Sequence, residues 1–199
     1  MAGESFFAML SLLLVWSFIA STINADDTRP TGRYSPAEGT SKEWGDFNWV
    51  EDLEDALEKA KESKKPIMMV VHRTWCGACK ALAPKVSKSK GISKLKDHFI
   101  MCSVSGEHEP WQEEYRPNDI RYVPRVHFIH SNGSLMADIG NDDPQYANYQ
   151  YFHTGTKSIV RSMKNVLKKM GKEDVEQLAD ENDELPNVEP EEVKKKDEL

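Results

Sequence analysis

Cysteine is scarce, with three residues in a chain of 199. That excludes a small scaffold stapled by disulfides, which needs several bridges in place of a core. There is no second Cys-x-x-Cys and no pair of histidines at zinc-finger spacing, so a four-ligand zinc site lacks its ligands. Excess positive charge is missing too. The 26 Lys and Arg are outweighed by 33 Asp and Glu, and the net charge of −7 argues against a nucleic-acid binder. No apolar run reaches the ~20 residues that span a bilayer comfortably, and no internal repeat is visible. What is present is a chain 39% hydrophobic with five Trp, six Tyr and seven Phe. That is enough to bury one core, so wholesale disorder is excluded, and the length suits one globular domain with extensions.

The extensions lie at both ends. The uncharged run from Phe6 to Ala20 suits the apolar region of a secretory signal peptide. Small residues follow it, and Ala25 before Asp26-Asp27 marks the expected cleavage point, making residues 1–25 the signal. Glu4 without a nearby Lys or Arg, and the bulky Ile23, depart from the usual pattern; an uncleaved signal anchor is the alternative. The last four residues, Lys196, Asp197, Glu198 and Leu199, spell a receptor-read address for retention in the endoplasmic reticulum. The expected location is therefore that lumen, with the KDEL receptor as one partner and no membrane attachment after cleavage. Residues 26–43, rich in Thr, Ser, Gly, Pro and charge, read as a flexible arm. Residues 173–199 hold twelve acids and three lysines, so they carry −9 and the rest of the chain sums to +2. This acidic segment reads as a disordered, solvated tail.

Residues 44–172 are left as the domain. Leu53, Ala56, Leu57 and Ala60 recur at helical spacing, and the helix should stop near Lys64-Lys65-Pro66. Ile67 to Val71 is an unbroken apolar run suited to a central strand. A second helix is expected from Cys76 to about Ser89, and a buried strand from Phe99 to Val104. After a long irregular stretch, Arg125 to His130 reads as a strand, Ser131 to Ser134 as a hairpin turn, and Leu135 to Ile139 as its partner. A last helix places Ile159, Val160, Met163, Val166, Leu167 and Met170 on one face and stops at Gly171. This order predicts an α/β fold: a mixed sheet with helices on both faces.

The chemistry falls in Thr74-Trp75-Cys76-Gly77-Ala78-Cys79-Lys80, just past a central strand and opening a helix. Cys76 is expected in the first helical turn, where unpaired N–H groups and the positive dipole end favour a thiolate. Cys79 lies one turn deeper on the same face, and Gly77 and Ala78 leave the pair accessible. Cys76 would then form the mixed disulfide and Cys79 resolve it. Zinc and an inert structural bridge are the alternatives. Zinc would need further ligands, with His72 the nearest candidate, and an inert bridge would not need the start of a helix.

The run Trp-Cys-Gly-Ala-Cys-Lys, Pro84 eight residues after Cys76, and Tyr122-Val123-Pro124 before a strand together resemble the thioredoxin superfamily. With the two terminal signals, His72-Arg73-Thr74 and the Tyr-rich stretch from Tyr146 to Phe152, the resemblance is to its small single-domain members of the endoplasmic reticulum, related to the anterior gradient proteins. It covers roughly residues 44–172. It implies a thioredoxin-like three-layer fold and a thiol–disulfide oxidoreductase that cycles through a Cys76–Cys79 disulfide. Cys76 would be the nucleophile, Cys79 the resolving thiol, and Pro124 a cis-proline facing them. Trp75, Val123 and Pro124 would contact the substrate chain. The implied activities are thiol oxidation and glutathione-coupled protein-disulfide reduction. Secretory-pathway clients with thiols or disulfides would be the partners and glutathione the redox partner, with no bound cofactor and no metal. One departure stands out. The superfamily keeps a buried carboxylate six residues before the first cysteine, and this chain has Val70. A non-enzymatic client-binding module using the groove at Pro124 is the rival function.

Other candidates read as structural. Cys102, inside an apolar strand, is expected to be a buried core thiol. Asn132-Gly133-Ser134 is an N-glycosylation sequon and also suits a tight turn. Glu107, Glu109, Glu113 and Glu114 around Trp111 read as a solvated acidic loop. His127 and His130 have no ligand spacing and are taken as structural.

Overall fold

In this computed structural model the description covers residues 41–105, 108–110 and 112–179. The signal, most of the arm, Glu107, Trp111 and the Lys196–Leu199 address lie outside the described residues. Helix α1 (Leu53–Ser63) begins where Asp52 caps it, its Oδ1 accepting from the N–H groups of Glu54 and Asp55 at 2.8 and 3.1 Å. It ends at Lys64, which is in the left-handed conformation. Pro66 follows two residues later, and β1 (Ile67–His72) is buried along its whole length.

Strand β1 is the centre of the sheet. It pairs in parallel with β2 (Ile100–Ser105), Met69 opposite Cys102, and antiparallel with β3 (Arg125–Ile129), Met69 opposite His127. Alternation along β1 splits the core between the two faces. Met68 and Val70 join Val126, Phe128 and Met101 under α2 (Gly77–Lys88), α3 (Lys90–Leu95) and α4 (Thr156–Lys169). Ile67, Met69 and Val71 join Cys102, Val104 and Ile129 under α1. This is the expected mixed sheet with helices on both faces. Ser89 joins two helices: its N–H closes α2 on the carbonyl of Val86, and its Oγ caps α3 through Ile92 N–H. Helix α4 ends in a Schellman motif, with Gly171 at φ +81° and Lys172 N–H returning to the Leu167 carbonyl.

Two expectations need correction. The turn at Ser131–Ser134 forms, but Leu135–Ile139 is not a strand: one bridge, Ile129 with Leu135, is all that pairs. The chain turns instead, with Ile139 N–H on the Met136 carbonyl. The Ala137 carbonyl goes to the side chains of Gln150 and Tyr151, and the Tyr151 carbonyl takes Val126 N–H on the β3 edge. Residue 172 is not the end of the packed region either. A short helix α5 (Val175–Leu178) buries Val175 and Ala179 in the core cluster of α4, and Glu176 pairs with Lys164 and Lys168.

Candidate active site

The topology gathers three strand ends at one edge. Parallel β1 and β2 both finish there, and antiparallel β3 starts there. The loop after β1 therefore brings Arg73 to Cys76 beside the loop that delivers Tyr122, Val123 and Pro124 into β3.

Cys76 stands one residue earlier than expected. It is the cap of α2, extended at φ −78° and ψ 118°, and not part of its first turn. Its sulfur takes the place of a capping oxygen, accepting from Cys79 N–H at 3.2 Å. Its own N–H donates to the Arg73 carbonyl at 3.2 Å, and its carbonyl takes Lys80 N–H at 3.1 Å. The Cys76 thiol in turn donates to the Val123 carbonyl at 3.6 Å. A capping position offers negative charge on sulfur both an N–H and the positive end of the helix.

Cys79 lies deeper, 3% exposed. Burial, helped by its hydrogen bond with Cys76, pushes its thiol up to about 12, against a smaller opposing effect from Arg73. The pair is thus unequal: Cys76 is 8% exposed on a helix cap between the exposed Trp75 and Gly77, and Cys79 is buried one turn deeper. All three cysteines are thiols here.

The Val123–Pro124 bond is cis. Val123 is half-buried and packs against both core clusters, while Pro124 is buried. Trp75, immediately before Cys76, is 76% exposed, an unusual place for the largest apolar side chain. Tyr122, next to Val123, meets the half-exposed Tyr149 edge to face at 5.2 Å. Trp75, Cys76, Cys79, Val123 and Pro124 therefore come together at one edge. Asn132 lies apart on the exposed hairpin turn, its Oδ1 accepting from Ser134 N–H and Oγ at 3.0 and 2.7 Å. Beside it opens a groove of about 460 Å³ that Leu57 and Tyr115 help to line.

Val70 is fully buried in the cluster that holds both cysteines, where the resemblance would put a carboxylate. Glu109 is an acid near this edge, and it is not in a solvated loop: its side chain is 15% exposed and pairs with both Arg73 and Arg125. Burial works to raise its carboxyl, but the hydrogen bonds and charges of Arg125 and Arg73 prevail and hold it below the usual carboxylate range. Sequence reasoning missed this trio. One signal was available: Arg125 opens a strand that reads as buried, and a buried guanidinium requires an acid.

Of the remaining candidates, His72, His127 and Cys102 are turned inward. His72 hydrogen-bonds Ser103 Oγ at 3.0 Å, and burial pushes its imidazole down to about 4. His127 lies against Tyr151 with ring centroids 4.4 Å apart, while His130 sits at the hairpin turn. Cys102 is fully buried, as expected of a core thiol, with the Asp52 carbonyl 3.9 Å from its sulfur.

A family model described as thioredoxin-like matches residues 48–131. The anterior gradient protein 2 homolog of Pongo abelii is 33% identical over 131 residues, covering 64% of this chain and 71% of its own. Anterior gradient protein 2-B of Xenopus laevis is 32% identical over 164 residues, covering 80% and 92%. A solved thioredoxin from Thermus thermophilus aligns at 21% identity with a TM-score of 0.47, over 62% of this chain and 88% of that one.

Proposed function

Since the chain belongs to the anterior gradient family of thioredoxin-like proteins, we propose that it exchanges disulfides with client proteins in the lumen of the endoplasmic reticulum, through Cys76 and Cys79. The observation that carries this reading is the Cys76 sulfur at the cap of α2, between Cys79 N–H and the Val123 carbonyl. The apolar amino-terminal run and the Lys196–Leu199 address support the location. Among the described residues no helix is long and apolar enough to cross a membrane.

In the reducing direction, the Cys76 thiolate attacks one sulfur of a client disulfide. A Cys76–client bond forms, the client S–S bond breaks, and the other client sulfur leaves as a thiolate. Cys79 then loses its proton and attacks Cys76, releasing the second client thiolate and closing the Cys76–Cys79 disulfide. Two electrons pass from the dithiol to the client. Glutathione returns them by the same chemistry, and oxidation of a client dithiol is the reverse. Trp75 supplies an apolar contact for the client chain, and Val123 and Pro124 form the wall against which it lies.

A Cys79→Ala protein, with no resolving thiol, should accumulate clients as mixed disulfides in secretory cells. Adding Cys76→Ala should abolish the adducts. Non-reducing gels that show no adducts with the single variant would sink the proposal.

A further inference from the structure

Contacts around the cysteine edge close into a ring. Cys76 N–H donates to the Arg73 carbonyl, and Arg73 Nη1 donates to the His72 carbonyl at 2.9 Å. Arg73 Nη2 binds one oxygen of Glu109, and the other oxygen binds Arg125 Nη2. Arg125 Nη1 donates to the Tyr122 carbonyl at 2.7 Å. The next carbonyl, that of Val123, receives the Cys76 thiol. Each guanidinium thus holds the backbone of its own loop, and the one carboxylate joins the two loops.

The energetics separate the two arginines. The Arg125 side chain is fully buried, and a buried charge left without a partner is strongly destabilising, so it needs Glu109 to be tolerated at all. The Arg73 side chain is 22% exposed and could be solvated without that partner. Its engagement therefore reflects the arrangement of the loop it sits on. Two cations sharing one anion also leave net positive charge at this edge. Arg73 acts on Cys79 from the loop of the pair itself, while Glu109 and Arg125 stand across from it. Lys80 is solvent-exposed, and His72 is turned to Ser103.

We propose that Glu109 is a positioning residue of the cysteine pair, fastening the Cys76 loop to the Val123–Pro124 loop and offsetting the positive charge of Arg73 on the loop that carries the pair. It is not a replacement for the base missing at Val70, because both its oxygens are engaged by guanidinium groups. The inference rests on the redox reading for its purpose, but its test does not require client exchange.

The test compares full-chain wild type, Glu109→Gln and Arg73→Gln by thiolate absorbance of the reduced protein against pH, and by equilibration with glutathione buffers. Glu109→Gln removes the offsetting charge. It should move the thiolate midpoint about one unit to lower pH and shift the exchange equilibrium about tenfold toward the dithiol. Arg73→Gln should move both in the opposite direction. It leaves the Glu109–Arg125 pair intact, so it keeps the test alive should Glu109→Gln fail to fold. Midpoints and exchange constants within twofold of wild type, with only thermal stability lowered, would overturn the proposal and leave the trio a structural brace. Shifts of the same sign in both variants would overturn it too. Failure of client trapping with these shifts intact would count against the redox reading alone.

Discussion

Cys79 and Cys102 are buried thiols on opposite faces of one sheet, and burial raises the pKa of both. Desolvation alone therefore does not distinguish a working thiol from an idle one. Their surroundings do. Cys79 sits one turn into α2, beside a capping cysteine that is 8% exposed and flanked by the exposed Trp75 and Gly77. Cys102 sits between β1 and the bridge to Val50, enclosed by Met69, Val104 and α1, with a backbone carbonyl 3.9 Å from its sulfur. A redox pair requires one sulfur that can be approached and a second within reach of it. Only the α2 face provides that among the described residues.

The largest expected effect tests this contrast. Cys76→Ser should lower reduction of a mixed disulfide by glutathione by at least about a thousandfold, since an alcohol does not replace a thiolate nucleophile. Cys102→Ala should leave that rate within about twofold and cost roughly 1–2 kcal/mol of stability in urea titrations, through lost packing. A large rate loss from Cys102→Ala would end the distinction between the two faces.

The second effect concerns the proton on Cys79. In the mixed disulfide the Cys76 thiol no longer acts on Cys79, but burial, the larger cause, still holds the Cys79 thiol above its ordinary range. With Val70 where the resemblance would put a carboxylate, its thiolate fraction rises about tenfold per pH unit below its midpoint. Resolution of a Cys76–glutathione mixed disulfide, followed by stopped flow, should accelerate by about that factor per unit between roughly pH 6 and 9. A flat profile would mean that some group accepts the proton, and that the Cys79 pocket is less dry than its burial implies.

How much of this could be read beforehand follows a physical line. The apolar period of α4 and its stop at Gly171 were visible, as was Ile67–Val71 as a central strand, because local pattern and burial agree there. The cysteine pair was visible because its chemistry depends on spacing. Features decided by long-range pairing were not. Leu135–Ile139 carries strand-like residues, yet Tyr151 holds Val126 N–H at the edge they would have extended. Glu109 looks like its acidic neighbours until the fold places Arg73 and Arg125 around it. Val175 and Ala179 lie in a stretch whose composition suggests a tail, and a few apolar residues among acids are enough to dock residues 175–179 on the α4 core cluster.

The smallest effect uses a group that burial moves the other way. His127 is opposite Met69, on the Cys102 face of the sheet, and neither ring nitrogen has a hydrogen-bond partner among the described residues. Burial, then the nearby Arg125 and His153, pushes its imidazole down to about 3; burial likewise takes His153 and His72 to about 4. A histidine lowered on folding stays neutral in the native state, while the unfolded chain binds a proton below about pH 6.5. Stability is therefore undiminished above pH 6.5. It falls as pH drops toward 4, by about 1.4 kcal/mol per unit for each fully neutral histidine. His127→Phe keeps the ring and removes two unpaired nitrogens, so it should be neutral or mildly stabilising at pH 7. It should also reduce the pH dependence between 6 and 4.5 by about one proton in urea titrations. An unchanged slope would show that His127 meets a partner or solvent in the native protein, and that burial on the Cys102 face is not what keeps its imidazole neutral.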